Sequence, residues 1–156
     1  MTRDELLREN EAMHRRVLEL IEGVDEGRLT AGPPAGGEPG WSVKEHLGHL
    51  ADWQQYVADL LAGATTPRRI RDDAEMDRLN GQIVAQIRAR SLAEVRAGFQ
   101  SSYDALRARL ERLTDAELDR PPPYGRDWDR KLWQHIAGNA FDHYREHLEA
   151  IEARLR

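Results

Sequence analysis

The chain has 156 residues, of which 33% are charged and 40% hydrophobic, and its formal net charge is −5. This acidic balance argues against a general nucleic-acid binder, which needs a dominant basic face. The chain contains no cysteine, which excludes disulfides, a thiolate nucleophile and cysteine-ligated metal sites. Any metal must therefore be bound by histidine, carboxylate or water.

The hydrophobic residues form no run near the roughly 20 residues that a membrane span needs. The charged start of the chain is not followed by the apolar segment of a signal peptide. We therefore expect a cytoplasmic protein without a membrane partner. Its length suits one domain covering residues 1–156.

The N-terminal part of the chain predicts two amphipathic helices separated by a loop. Apolar residues recur at helical spacing up to about Gly23. The loop covers residues 30–40 and is rich in glycine and proline. Ser42 and Glu45 have the spacing of a capping box, which predicts that the second helix begins there and continues to about Leu61.

The middle of the chain predicts a helical region from about Asp72, with a modest break near Arg90. Asn80 and its neighbouring glycine lie inside the apolar pattern, although both residue types are poor helix formers. They weaken the helix or mark a functional position. A further capping-box spacing at Ser91 predicts a long helix to about Leu113.

The last predicted helix is continuous from Leu132 to Leu155 and carries two histidines on one face. His143 and His147 are four residues apart, which is little more than one helical turn. This spacing suits metal chelation, but it also occurs where histidines border a buried face and a wet one. His46 and His49 form a second cluster far away in sequence. With no strand-period segment, the pattern predicts an all-α fold, a four-helix bundle with long crossover connections.

Five segments carry a resemblance that runs in one order along nearly the whole chain: Trp41–Trp53, Met76–Asn80, Arg90–Val95, Leu132–Asn139 and His143–His147. The first is similar to the second-helix motif of the DinB/YfiT-like superfamily, and the other four resemble the ClbS/DfsB branch of that superfamily.

The resemblance implies a DinB-like four-helix bundle in which three histidines hold a divalent metal: Zn, Ni, Fe or Mn. By their position in the motifs these are His49, His143 and His147. No cofactor is expected if the ClbS-like branch is metal-free. His46 stands where the family more often has an apolar residue, so it is either a supporting histidine or a competing ligand.

The resemblance also implies self-protection against a reactive metabolite. We expect a hydrolase acting on a small electrophilic molecule, with Asn80, Tyr56 and Glu146 as candidate catalytic residues. The alternatives are a non-catalytic bundle that sequesters an apolar ligand and a metal- or thiol-dependent DinB-like transferase. DinB-like bundles often pair, so a homodimer is a further expectation, whereas a nucleic-acid partner is not expected.

Other polar and aromatic residues have weaker functional signals. Asp52 and Asp142 are candidates to orient the histidines, although charged residues beside helical histidines are common on solvated faces. His14 and His135 are interpreted as surface or packing residues. Aromatic side chains can wall an apolar substrate pocket, although at helical spacing they more often belong to the core. These are Trp53, Tyr56, Trp128, Trp133 and Tyr144.

Overall fold

The fold is built from helices throughout the residues that the computed structural model describes, which are 1–32, 40–124 and 129–156. The predicted all-α class is confirmed. Most of the predicted 30–40 loop and Trp128, a predicted pocket wall, lie outside the described residues. The helices are α1 (Arg3–Ile21), α2 (Glu26–Thr30), α3 (Val43–Leu61), α4 (Asp73–Arg88), α5 (Leu92–Leu110), α6 (Asp115–Leu118), α7 (Leu132–Asn139) and α8 (Phe141–Leu155).

Capping side chains fix where the helices begin. The Ser42 hydroxyl accepts a hydrogen bond from the Glu45 N–H at 3.2 Å, and the Glu45 carboxylate accepts one from the Ser42 N–H at 2.8 Å. The same reciprocal pair opens α1, α5 and α6. Because the start of α3 is fixed, His46 and His49 lie one and two turns beyond its capped end.

Helices α1, α3, α5 and α8 form the bundle, and α3 is its most buried member. Helix α3 packs against α4, α5, α7 and α8, while α1 packs against α8. The core between them contains Leu47, Leu106 and Ile151, whose side chains are inaccessible to solvent, each 0% exposed. Burial of such a side chain contributes about 1.5–3 kcal/mol, which holds α3 and its histidines in place.

Gly48 allows α4 to approach α3 closely. A Cβ atom at this position would lie 2.7 Å from three carbon atoms of Ile87 on α4. That separation is well below van der Waals contact, so no larger residue fits without movement. The glycine lies between His46 and His49 in the sequence of α3, and it fixes how closely α4 packs against this helix.

The predicted break in the middle of the chain is confirmed, since α4 ends at Arg88 and α5 begins at Leu92. Asn80 and Gly81 lie inside α4 without interrupting it. Helix α5 ends at Leu110, three residues before the predicted end. No helix in the described ranges is both long enough and apolar enough to cross a bilayer.

The prediction of one continuous last helix is wrong, because the chain breaks at Ala140, whose φ of −124° and ψ of −111° are not helical. The Asn139 side chain donates to the backbone oxygen of His135 at 2.9 Å, and the Ala140 N–H bonds the Ala137 carbonyl at 3.1 Å. These contacts tighten the last turn of α7 and compete with continued helix. Helix α8 therefore starts anew, with His143 in its first turn.

Candidate metal centre and adjoining cleft

Three histidines from two sequence-distant helices meet between α3 and α8. The Nε2 atom of His143 lies 3.0 Å from Nε2 of His49 and 3.1 Å from Nε2 of His147. Candidate ligand atoms of all three residues lie within 4.8 Å of one another. The structure thus brings together the three histidines that the motifs indicated, and we refer to them as the three-histidine site.

The two contacts of His143 Nε2 cannot both be good hydrogen bonds when the rings are neutral. An imidazole nitrogen carries either one hydrogen or one lone pair, so it cannot donate to one neighbour and accept from the other. A single lone pair also serves two donors poorly. A cation shared by three lone pairs matches all three nitrogens, and a set of neutral imidazoles suits Zn, Ni, Fe or Mn. The donor set therefore fits a divalent metal.

Burial keeps all three rings neutral. His49 is 2% exposed and His143 is 9% exposed. Burial, together with repulsion from neighbouring histidines, lowers the pKa of His49 from 6.5 to about 2 and that of His143 to about 3. Burial lowers the pKa of His147 to about 4. At neutral pH each ring therefore offers the lone pair that metal binding requires.

His46 contacts the site from behind through an Nδ1···Nδ1 distance of 2.8 Å to His147. Burial, followed by repulsion from His147, lowers its pKa to about 3, so this ring is neutral too. When Nε2 of His147 presents its lone pair to the site, its Nδ1 carries the hydrogen and donates to His46. The sequence left His46 either as a supporting histidine or as a competing metal ligand, and this geometry favours the supporting role.

The other two site histidines lack this support. The Nδ1 atoms of His49 and His143 are buried and have no hydrogen-bond partner within the part of the chain that the structure describes. Trp41 instead packs on the imidazoles. Its ring lies 4.6 Å from His49 and stacks nearly parallel on His147 at 5.7 Å. Sequence reasoning missed this role, although an apolar residue just before a helix cap was a signal for packing there.

The three-histidine site opens into a hollow of about 290 Å³. Two of the predicted catalytic residues, Asn80 and Glu146, line it, and Tyr56 does not. The Asn80 Oδ1 atom accepts a hydrogen bond from Trp53 Nε1 at 3.2 Å. The hollow is lined by Trp41, His49, Trp53, Met76, Asn80, Gly138, Asn139, His143, Glu146 and His147.

Tyr56 lies in an adjoining cleft of about 830 Å³ that shares Trp53, Met76 and Asn139 with the hollow. Its hydroxyl accepts a hydrogen bond from the Arg68 backbone N–H at 2.8 Å. The cleft is lined by Trp53, Tyr56, Thr66, Pro67, Arg68, Arg69, Ile70, Arg71, Met76, Tyr124, His135 and Asn139.

His135 in this cleft was interpreted from sequence only as a surface or packing residue. Its Nδ1 lies 2.8 Å from the Tyr124 hydroxyl. Burial lowers the pKa of His135 to about 4 and raises that of Tyr124. The signal that could have identified it is the i,i+4 spacing to Asn139, which puts both side chains on one face of α7.

Three other predicted site residues have structural partners instead. Tyr144 is 1% exposed and belongs to the core rather than to a pocket wall. Asp52 binds Arg68 at 2.9 Å, and Asp142 binds Arg145 at 2.6 Å. Neither carboxylate therefore orients a histidine of the site.

Several solved structures share this fold. The colibactin self-resistance protein ClbS, in complex with a dsDNA, has 18% sequence identity and a TM-score of 0.76, with 97% of this chain and 94% of that chain covered. DfsB, described as a sibling lethal factor precursor, has 17% identity and a TM-score of 0.77 over 100% and 94%. An uncharacterised protein from Clostridium difficile 630 has 14% identity and a TM-score of 0.79 over 98% and 95%.

These likenesses confirm the predicted resemblance to ClbS and DfsB at the level of fold. No curated protein sequence is a significant match. A profile of the DinB superfamily matches residues 2–151, nearly the whole chain. The chain therefore belongs to the DinB superfamily.

Proposed function

We propose that this protein is a metal-dependent hydrolase that protects its host cell by adding water to a reactive electrophilic small molecule. The observation that carries the proposal is the double contact of His143 Nε2 with two further Nε2 atoms, at 3.0 and 3.1 Å, which suits a shared cation better than hydrogen bonding. A self-protective role is consistent with the fold shared with ClbS, which is described as a colibactin self-resistance protein.

In this proposal His49, His143 and His147 hold the metal. When bound there, a divalent cation supplies Lewis acidity toward water and toward an electrophilic group. Asn80 Oδ1 accepts the Trp53 bond, while its Nδ2 has no partner among the described residues and can donate to a substrate oxygen. Glu146 is exposed and lines the hollow, where its carboxylate can accept a proton from water.

Tyr56 has a separate role in the proposal, because it lines the cleft and not the hollow. Its ring walls the cleft, and its hydroxyl, which accepts the Arg68 N–H, keeps its own hydrogen for a ligand. The Trp53 ring is common to both spaces. A molecule bound against Tyr56 can therefore extend past Trp53 toward the three-histidine site.

The alternatives keep distinct expectations. A sequestering bundle would bind the electrophile once and release no product, whereas a transferase would need an added thiol. The expected homodimer, the cytoplasmic location and the absence of a nucleic-acid partner stay predictions, and the dsDNA bound to ClbS is the reason to test the last of these.

Metal content of purified protein tests the metal-binding part. After incubation with Zn or Ni and removal of excess, we expect about one ion per chain in wild type and less than about a tenth of that in His147→Ala, since each ligand supplies a large share of the affinity. His135→Ala is the matched control, because it removes a buried histidine outside the site and should keep the metal. Wild type that takes up no metal, or His147→Ala that keeps it, contradicts the proposal.

Turnover of a strained-ring electrophile, such as an epoxide, tests the hydrolase part. We expect diol formation to exceed the amount of protein in wild type and in His14→Phe, which replaces a buried histidine outside both the hollow and the cleft, and to be lost in His147→Ala. Loss of the epoxide that stops at one equivalent per chain, with no diol released, supports sequestration. Product that requires added thiol supports the transferase.

A further inference from the structure

A loop of residues 66–71 forms one edge of the cleft beside the hollow and is held on α3. The Arg68 guanidinium lies over the Trp53 ring at 4.6 Å and over the Tyr56 ring at 4.3 Å. Its Nη2 atom donates to Asp52 at 2.9 Å. Together with the Arg68 N–H bond to Tyr56, these contacts give the 66–71 loop a fixed position at the edge of the cleft.

Positive charge at this edge is only partly neutralised. Arg68 is paired with Asp52, and Arg71 is paired with Glu75. Arg69 lines the cleft, is exposed and forms no ion pair among the described residues. No acidic side chain from the described ranges lines the cleft. A local cation thus persists in a chain whose net charge is −5.

The rest of the cleft is aromatic and apolar. Trp53, Tyr56 and Tyr124 contribute rings, and Ile70 and Met76 contribute aliphatic surface. A volume of about 830 Å³ lies within the range of small-molecule sites, roughly 300–1,000 Å³. Flat apolar molecules bind such walls through stacking, and an arginine at the rim selects those that carry an anion.

We propose that the cleft binds a small molecule with a flat apolar body and a carboxylate or similar monoanionic group. The anion lies at Arg69, and the body lies against Trp53 and Tyr56. The opposite end reaches the wall formed by Trp53, Met76 and Asn139, which the hollow shares. The inference rests on the proposed function in one respect, that the molecule bound here is the one presented to the three-histidine site.

Binding of 2-naphthoate tests this proposal, with its neutral analogue 2-naphthamide as the comparison. By calorimetric titration we expect the acid to bind wild type at least about tenfold more tightly than the amide. We expect Arg69→Gln to remove that difference, because the substitution should lower the affinity for naphthoate and leave the affinity for naphthamide unchanged. Arg96→Gln on α5 is the matched control, since it removes an exposed arginine that does not line the cleft. Added salt should lower the affinity for the acid and leave the affinity for the amide unchanged.

Equal affinity for acid and amide, or equal affinity of Arg69→Gln and Arg96→Gln for the acid, overturns the proposal. A short DNA duplex is a third probe. If Arg69→Gln abolishes duplex binding and leaves naphthoate binding unchanged, the 66–71 loop is a nucleic-acid contact and the small-anion proposal is overturned.

The same variants separate this proposal from the proposed function. Arg69→Gln should retain its metal, and His147→Ala should bind naphthoate as wild type does. If Arg69→Gln retains its metal and binds naphthoate as tightly as wild type, only the anion site is contradicted. Naphthoate binding that depends on Arg69 in a protein that never takes up metal supports the anion site and contradicts the metal centre.

Discussion

His46 determines which nitrogen of His147 can face the site, because the two rings meet through their Nδ1 atoms at 2.8 Å. Metal-binding histidines usually donate their second nitrogen to a carboxylate or a carbonyl oxygen, which fixes the ring and strengthens the ligand. Here the acceptor is a neutral imidazole, and the other two site histidines have no acceptor in the described chain. The His46 contact is therefore the only such support of the site that the described residues provide.

Replacement of His46 by phenylalanine should weaken metal binding by about 10- to 100-fold, the usual effect of losing such a partner. The ring volume is kept while the acceptor is removed. His46→Gln offers an amide oxygen that can accept the His147 hydrogen, so part of the affinity should return. Competition titration with a chromogenic chelator measures both constants, and circular dichroism checks the helix content. Equal affinity of wild type and His46→Phe would exclude a supporting role.

Residue types at helical spacing were enough to identify the histidines, but not their roles. The apolar spacing of α3 places His46 nearer the core than His49, whereas in the structure His49 is 2% exposed and His46 is 7% exposed. Which nitrogen faces the centre depends on side-chain rotamers and on neighbours such as Trp41, and neither is visible in a one-dimensional pattern. Arg68 was missed for the same reason, since its stacking on two rings depends on how a loop folds back.

At the scale of helices, local chemistry predicted beginnings better than interruptions. A capping box needs only two side chains three residues apart, so the starts of α3 and α5 could be predicted from the sequence. The break at Ala140 depends on the Asn139 amide bonding the backbone of His135. The Gly138-Asn139 pair was a weak signal for it, because apolar spacing continued on both sides.

The close approach of α3 and α4 predicts opposite effects for two glycine substitutions. Alanine favours a helix interior by about 1 kcal/mol over glycine, so Gly81→Ala on α4, where a Cβ meets nothing within 4 Å, should stabilise the protein by up to that amount. Gly48→Ala places a Cβ against Ile87, which is buried and β-branched and so cannot easily move. We expect it to destabilise the protein by about 1–3 kcal/mol.

Urea unfolding monitored by circular dichroism measures both changes. The comparison controls for helix propensity, because the two substitutions are chemically identical. If Gly48→Ala stabilises the protein as much as Gly81→Ala does, the two helices are not in tight contact at this position.

For the whole molecule, the acidic composition predicted that the chain has no dominant basic face. It could not predict that the 66–71 loop places arginines at the edge of the cleft. The all-α class followed from periodicity alone, since no segment alternated with a period of two. The joining of the hollow and the cleft arises from contacts among α3, α4, α7 and the 66–71 loop. Such contacts between distant segments are not encoded in any single stretch of sequence.

All six histidines of the chain have a pKa lowered by burial, which predicts a pH-dependent stability. In the unfolded chain the histidine pKa values are near 6.5, so below about that pH the unfolded chain binds more protons than the folded chain does. The contribution of the histidines to the free energy of unfolding is therefore fully present above about pH 6.5 and decreases as the pH falls below that value. Each such histidine contributes a slope of up to about 1.4 kcal/mol per pH unit. The exposed carboxylates with lowered pKa, such as Glu5 and Glu94, titrate only below this window.

Calorimetric unfolding of metal-free protein between about pH 7 and pH 5 tests this prediction together with that of a single domain. We expect one cooperative transition whose midpoint falls as pH is lowered, with equal calorimetric and van't Hoff enthalpies. His14 lies away from the three-histidine site, stacked on Tyr103 with ring centroids 4.0 Å apart, so His14→Phe should reduce the slope without altering metal content. A midpoint that stays constant over this range would mean that the histidines bind protons as readily in the folded chain as in the unfolded one, which would contradict the prediction.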